Sequence, residues 1–188
     1  MLKIETERLV LRPHTLDHLE TLNAWWNDEE LSYYDDDQPP DAPPDSLEET
    51  RRWLERVSRA ESEATTLHYA IHKKADEKII GYGQVAFVDR YNRHCKLGIT
   101  VGAKDEWGKG YAREALSTVI DYCFEELQLN RIGAEIYDFN TRSLRLFEGL
   151  GFQREGVIRQ QVLKSDGFHD EYLYGLLRSE WQAPNKTT

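Results

Sequence analysis

The first part of the chain contains two periodic segments that predict a strand followed by a helix. Residues Arg8 to Arg12, with the sequence Arg-Leu-Val-Leu-Arg, fit the two-residue period of a β-strand. Thr15 then predicts the N-cap of a helix, because apolar residues follow it at helical spacing. That apolar face consists of Leu16, Leu19, Leu22 and Trp26.

The next segment predicts a loop and a second helix. Four of the six prolines fall between Gln38 and Pro44, which predicts an irregular loop. Ser46, followed three residues later by Glu49, predicts a capping box that opens a helix. We expect this helix to end near Ala60.

The remainder of the chain places strong helices between strands. The pattern predicts an antiparallel meander and then helices that alternate with strands, which indicates an α/β or α+β fold with one mixed sheet. The predicted elements are strands Leu67 to His72, Lys78 to Val88 and Cys95 to Val101, with a turn at Tyr91 to Arg93, then helix Tyr111 to Leu127, strand Arg131 to Phe139, helix Thr141 to Leu150 ended by Gly151, and two further strands.

Composition predicts one globular domain. The chain has 188 residues, of which 39% are hydrophobic and 31% charged, and its mean hydropathy is -0.71. No stretch approaches the roughly 20 apolar residues that cross a bilayer, and the first residues lack the apolar centre of a signal peptide. Cys95 and Cys123 form no CxxC pair. We therefore expect a cytoplasmic protein without membrane or disulfide.

Charge is concentrated in one acidic segment. The net charge is -10, from 24 basic and 34 acidic residues, and ten of the acidic residues lie between Asn27 and Glu49, where no Lys or Arg occurs. The absence of a basic cluster argues against a nucleic-acid partner. The acidic segment indicates either a solvated, solubilising loop or a surface that attracts a cationic partner or substrate.

A glycine loop precedes the strongest predicted helix. Gly108 and Gly110 let the backbone approach a ligand, and the helix that follows offers free N–H groups and a positive dipole end, which suit a pyrophosphate. The spacing from Gly102 excludes a P-loop, and Arg113 stands where a dinucleotide fingerprint needs glycine or alanine. The other glycine pair, Gly81 and Gly83, continues into a strand.

Three segments carry a family resemblance: Gly98 to Val101, Trp107 to Leu116, and Asn140 to Phe152. In this order they resemble the GNAT superfamily of acetyl-CoA-dependent N-acetyltransferases. The similarity is greatest to its branch of Rim-type ribosomal-protein N-terminal acetyltransferases and spermidine acetyltransferases. The resemblance implies a single domain over residues 1–182 with a short tail at 183–188. It also implies a mixed, largely antiparallel twisted sheet of about seven strands flanked by four helices.

The resemblance also implies a site for acetyl-CoA. The strand before the glycine loop would lie beside the pantetheine arm, and the loop itself would hold the pyrophosphate. Asn140, which is also a natural N-cap, would contact the cofactor arm, and Phe147 occupies the position where many relatives carry a tyrosine acid. The implied cofactor residues are Ile99, Thr100, Val101, Trp107, Gly108, Lys109, Gly110, Tyr111, Ala112, Asn140, Ser143 and Phe147.

Acetyl transfer to an amine needs a general base, a hydrogen-bond donor that stabilises the oxyanion, and a group that stabilises the leaving thiolate. The resemblance assigns stabilisation of the oxyanion to the strand backbone near Thr100, and stabilisation of the leaving thiolate to Ser143. Phe147 cannot donate a proton, so a tyrosine acid is excluded there. Glu135 is our first candidate for the base, with His94 and Asp138 behind it and a water chain as the alternative.

The acceptor amine stays open at this stage. In the family, the first helices wall the acceptor site, and Tyr33 and Tyr34 beside Asp35, Asp36 and Asp37 would suit a cationic amine. A protein N-terminus, a polyamine or another small amine such as an antibiotic all fit. A non-catalytic acetyl-CoA-binding module is the alternative of another class. Histidine spacing predicts no metal, and the family suggests a homodimer.

Overall fold

A computed structural model describes residues 3–35, 41–58 and 65–182. The elements follow the chain in this order: β1 Ile4–Glu5, β2 Leu9–Arg12, α1 Leu19–Trp26, α2 Glu29–Asp35, α3 Leu47–Ser58, β3 Leu67–Lys73, β4 Ile79–Asp89, β5 His94–Thr100, α4 Tyr111–Glu125, β6 Arg131–Tyr137, α5 Thr141–Gly149, β7 Gln153–Lys164 and β8 Gly167–Leu177. Short 3-10 turns cover Leu16–His18 and Lys104–Glu106.

The strands form one twisted, mixed sheet in the order β1-β2-β3-β4-β5-β6-β8-β7. Every described pair is antiparallel except β5 and β6, which run parallel. Their register ends at Lys96 opposite Gly133, although β5 continues to Thr100 and β6 to Tyr137. The two strands therefore diverge, and the sheet has a gap at its centre.

The mixed α/β fold is confirmed, with two corrections to the expected numbers of elements. The described residues contain eight strands instead of about seven, because two residues at the start, Ile4–Glu5, pair with β2. They contain five α-helices instead of four, because the acidic stretch Glu29–Asp35 is helical. The helix expected after Thr15 begins as the 3-10 turn Leu16–His18 and continues as α1.

Other predicted elements are present, and their described bounds shift by two residues at most. Ser46 and Glu49 form the expected capping box, in which the Glu49 amide donates to Ser46 Oγ at 3.2 Å and the Ser46 amide donates to Glu49 Oε2 at 2.8 Å. Residues 41–44 are irregular, as expected. The expected helix end at Ala60, residues 38–40 of the predicted loop and the predicted tail 183–188 lie outside the described residues.

The main core lies between α4 and the sheet. The helix turns one apolar face inward, and this periodicity explains why it was the strongest helix prediction. Cys95 and Cys123 belong to this core as free thiols with their Sγ atoms 4.0 Å apart. The buried face of α4 consists of Ala115, Leu116, Val119, Ile120, Cys123 and Phe124. Among the described helices, none is both long and apolar enough to cross a membrane.

A second packed region, the histidine cluster, consists of His14, His18, His68, His72 and Trp53. Its rings lie in contact: His14 is 5.2 Å from Trp53 and 5.6 Å from His18, and His18 is 5.0 Å from His72, between ring centroids. Trp53 also meets His68 at 5.1 Å. The cluster joins α3 to β3 and to the 3-10 turn before α1.

Candidate active site

A cavity of about 680 Å³ is lined by residues from the diverging end of β5 and from the starts of α4 and α5. Because β6 leaves β5 after Lys96, the β5 edge between residues 97 and 100 presents its backbone groups without that neighbour. The cavity lining includes ten of the predicted cofactor residues: Ile99, Thr100, Val101, Trp107, Gly108, Gly110, Tyr111, Ala112, Asn140 and Ser143.

The start of α4 is built to face an anion. Gly110 is its N-cap residue with φ of 82°, and Gly108 has φ of 74°, a left-handed conformation that glycine adopts without a Cβ penalty. No described side chain caps this helix start, so its first N–H groups stay available. The helix dipole adds positive potential at the same place.

Trp107 is held in the wall of the cavity by two contacts. Its indole Nε1 donates a hydrogen bond to the carbonyl oxygen of Val101 at 2.6 Å, which joins the loop to the end of β5. The guanidinium of Arg142 lies 4.2 Å from the centroid of its ring. Trp107 therefore connects α5 to the glycine loop.

Lys109 is the one loop residue that the structure does not bring to the cavity lining. Its Nζ atom lies 2.8 Å from Glu106 Oε2, while Lys73 Nζ lies 2.7 Å from Glu106 Oε1. The hydrogen bonds from Lys109 and Lys73 lower the pKa of the buried Glu106 to about 2. Lys109 thus fixes the loop by neutralising a buried carboxylate.

Asn140 and Ser143 start helix α5 at the cavity wall. Asn140 Oδ1 accepts a hydrogen bond from the Ser143 amide at 3.1 Å, which is the expected N-cap. Asn140 Nδ2 donates to the carbonyl oxygen of Tyr34 at 3.3 Å, so the same side chain ties α5 to α2. Ser143 is half-buried and lines the cavity.

Phe147 lies in the core instead of the cavity wall. It is 3% exposed and meets Phe152 edge to face, with 5.0 Å between ring centroids. Phe147 is the buried residue of the amphipathic helix α5 and belongs to the main hydrophobic core. The structure therefore does not place Phe147 where the resemblance implied a cofactor contact.

The three candidate bases lie off the cavity wall. Glu135 Oε1, on β6, accepts a hydrogen bond from Lys96 Nζ on the neighbouring strand β5. His94 lies 3.7 Å from Asp89, at the end of β5 remote from Thr100. Asp138 binds the ring of His169 at 3.1 Å. None of these three side chains is among the described residues that line the cavity.

Three arginines in the cavity wall were missed by the sequence reasoning: Arg113, Arg142 and Arg145. Arg113 belongs to the first turn of α4, and Arg142 and Arg145 are three residues apart on α5, so they share a helix face. The three-residue spacing of Arg142 and Arg145, just after the N-cap residue Asn140, was the sequence signal that could have identified these two arginines. The lining combines these cations with a single carboxylate, Glu106, although the whole chain is acidic.

The predicted acceptor residues lie on α2, of which Tyr34 lines the cavity. Tyr33 lies farther out, and its hydroxyl donates to Asp166 at 3.2 Å. Both rings pack against Phe139, with centroid distances of 4.7 and 6.1 Å. Asp35 is the last residue of α2, whereas Asp36 and Asp37 lie outside the described residues.

His169 borders this aromatic group between two carboxylates. Its ring nitrogens lie 3.1 Å from Asp138 and 2.9 Å from Asp166, and the hydrogen bond to Asp166, followed by the one to Asp138, raises the pKa of His169. Lys164 lies on the same side, with its Nζ atom 5.2 Å from the ring centroid of Tyr137. Within residues 3–35, 41–58 and 65–182, no three ligand side chains converge as a metal site would require.

Comparisons with known proteins agree with this geometry. The family described as the acetyltransferase (GNAT) domain matches residues 8–153. An uncharacterized N-acetyltransferase of Bacillus licheniformis, p20, is 31% identical over 94% of this chain and 96% of its own length. The [Ribosomal protein uS5]-alanine N-acetyltransferase of Escherichia coli is 29% identical over 68% of this chain and 66% of its own.

A solved structure shows the same fold at lower identity. The spermidine N-acetyltransferase from Vibrio cholerae, in complex with CoA and spermine, superposes with a TM-score of 0.81 at 20% identity. The match covers 93% of this chain and 98% of that one.

Proposed function

The chain belongs to the acetyltransferase (GNAT) family, and from this premise we propose that its cavity binds acetyl-CoA and that it acetylates a primary amine. The observation that carries the proposal is the gap between β5 and β6, with the uncapped start of α4 beside it. A strand edge and a helix N-terminus together suit an amide-containing arm that ends in a pyrophosphate.

The residues present fit such a donor. The uncapped N–H groups at the start of α4 would bind the pyrophosphate, and Arg113, Arg142 and Arg145 would add positive charge around it. Backbone groups of Ile99 and Val101 would pair with the pantetheine arm as a missing strand would. Acetyl-CoA supplies the acyl group as a thioester, whose carbonyl carbon accepts an amine.

We assign the stabilisation of the reacting carbonyl to the β5 backbone near Thr100. When the amine nitrogen attacks, a C–N bond forms and negative charge develops on the carbonyl oxygen, so a preorganised N–H lowers the barrier. The C–S bond then breaks, and the hydroxyl of Ser143 donates a hydrogen bond to the departing thiolate. Cys95 and Cys123 are buried in the core, which favours direct transfer in a ternary complex over a covalent enzyme intermediate.

The amine must lose a proton before it attacks, and Glu135 is our proposed acceptor of that proton. Because Glu135 is not among the residues that line the cavity and its carboxylate binds Lys96, the proton would travel from the amine through water. We expect the Glu135→Gln variant to lose the limb of the kcat/KM pH profile that reports the base. A variant with an unchanged pH profile would assign the proton to bulk water instead.

For the acceptor we propose a protein N-terminal amine or a polyamine. The named activities of the relatives support both classes, and the acidic segment between Asn27 and Glu49, which contains Tyr34, favours a cation. We also propose a cytoplasmic location, which the free thiols of Cys95 and Cys123 support. The homodimer stays a prediction from the resemblance.

The test is release of free CoA from acetyl-CoA, measured above background hydrolysis with a panel of amines. The panel contains spermidine, spermine, peptides with free Ser or Ala N-termini, a lysine side-chain peptide and an aminoglycoside. We expect selective turnover with one class. Saturable CoA binding without turnover on any member would instead support a non-catalytic binding module, and no CoA binding would contradict the proposal altogether.

A further inference from the structure

Helix α2 is connected by charge to both walls of the cavity. Glu30 lies near the start of α2, and its two carboxylate oxygens face different cations. Oε1 is 4.0 Å from Arg142 Nη1 on α5, and Oε2 is 3.1 Å from Lys104 Nζ, in the turn before the glycine loop. Lys104 also binds Asp28 at 2.6 Å. Glu30 therefore bridges the two elements between which the donor would enter.

Arg142 is the member of this bridge that lines the cavity. Its guanidinium lies over the ring of Trp107 at 4.2 Å and 5.8 Å from the ring centroid of Tyr34. The stacking on Trp107 orients the planar group, so its N–H donors stay available for an anion. The side chain is 62% exposed, which leaves it accessible from solvent.

We propose that Glu30 is an internal anion that competes with the phosphate groups of the donor for Arg142. The inference rests on the proposed function, because it concerns the same cavity. The pyrophosphate of the donor carries two negative charges where a carboxylate carries one, and its oxygens accept paired hydrogen bonds from a guanidinium, so it replaces Glu30 at this cation. Glu30 keeps Lys104 as a partner after the exchange.

The geometry suits an exchange of partners. The contact between Glu30 and Arg142 is long and exposed, and exposed ion pairs contribute little to stability. Donor binding therefore releases one of the links between α2 and α5. A second link, from Asn140 Nδ2 to the Tyr34 carbonyl, remains.

The competition can be measured by calorimetric titration of the full chain with CoA. Glu30→Gln removes the competing charge, and we expect its Kd for CoA to fall about two- to fivefold, the range that exposed ion pairs allow. Glu29→Gln is the matched control, because Glu29 is exposed one residue earlier on the same helix. The control corrects for the general loss of negative charge and should change the Kd less.

A second arm of the experiment uses S-acetylpantetheine, which lacks both the pyrophosphate and the nucleotide of acetyl-CoA. We expect Glu30→Gln to leave the affinity for S-acetylpantetheine unchanged. In an Arg142→Gln background, we expect Glu30→Gln to increase the affinity for CoA less than it does in the wild type. Equal gains for both ligands, or equal effects of Glu29→Gln and Glu30→Gln, would overturn the competition. If the wild type bound no CoA, the proposed function itself would fail, so the two failures are distinguishable.

Discussion

The cavity and the histidine cluster both gather ionisable side chains against the same sheet, yet they differ in solvent exposure and in charge. In the cavity, arginines and backbone N–H groups face open space. In the cluster, His14, His18 and His72 are at most 5% exposed. Among the described residues, neither ring nitrogen of His14 has a hydrogen-bond partner.

Burial also decides the charge of the two regions. Burial first, and the neighbouring histidines after it, lower the pKa of His14 to about 3, and burial with His72 lowers the pKa of His18 to about 4. These rings are therefore neutral near pH 7 and act as packing groups, whereas the arginines keep their charge. The comparison teaches that access and retained charge, more than the number of ionisable residues, mark a site.

The largest expected effect comes from placing a negative charge at the start of α4. Ala112→Glu places a carboxylate in the first turn, where it is favourable for the helix but repels a bound pyrophosphate. We expect the Kd for CoA to rise about 30- to 100-fold, from repulsion over a few ångströms at the edge of the protein. Calorimetric titration with CoA measures the change.

The matched control for this change is Ala112→Gln, which has nearly the same size without the charge. It should bind CoA within a few-fold of the wild type, and both variants should unfold at or above the wild-type temperature. Equal losses of affinity in the two variants would show that bulk, not charge, matters at this position.

The second effect tests whether the histidine cluster is neutral packing. Unfolded His14 binds a proton below pH 6.5, but the folded residue binds it only below about pH 3, so its contribution to stability declines as the pH falls through this interval. Between pH 7 and 5 we expect a loss of about 2 kcal/mol from His14 alone. Urea unfolding of the wild type and of His14→Phe measures it.

His14→Phe keeps an aromatic ring against Trp53 and has no nitrogen to protonate. We expect its free energy of unfolding to decrease less between pH 7 and 5 than that of the wild type. A His14→Phe variant with the full wild-type pH dependence would contradict the neutral cluster.

The smallest effect concerns Ser143, which lines the cavity with a neutral hydroxyl. Loss of one hydrogen bond to a developing thiolate should lower kcat about tenfold in Ser143→Ala, while the Kd for CoA stays nearly unchanged. Thr141→Ala, at an exposed hydroxyl in the first turn of the same helix, is the control and should keep its kcat. An unchanged kcat in Ser143→Ala would remove this residue from the mechanism.

Much of the cavity wall was predictable because local rules determine it. Helix α4 has a long apolar period, and the glycines before it are needed for the left-handed backbone of Gly108 and Gly110. Asn140 is an N-cap residue by type and position. These signals depend on neighbours in the chain, which a single sequence displays.

The rest depends on contacts between distant segments. The gap exists because the pairing of β5 and β6 stops after Lys96. No local pattern of residues predicts where two paired strands separate. Helix α2 is short and acidic, so its periodicity is weak, and it is held by Asn140 and Lys104 from far along the chain. For the same reason the partner of Glu135, Lys96 on the next strand, was not foreseen.

The most direct measurement of the central claim is a titration of the isotopically labelled protein with CoA, followed through its backbone amide NMR signals. The account predicts saturable shifts that are largest at residues 98–101, on the β5 side of the gap, and at residues 108–112, at the start of α4, with little change at the histidine cluster. Saturable binding whose largest shifts lie outside these two segments would contradict it.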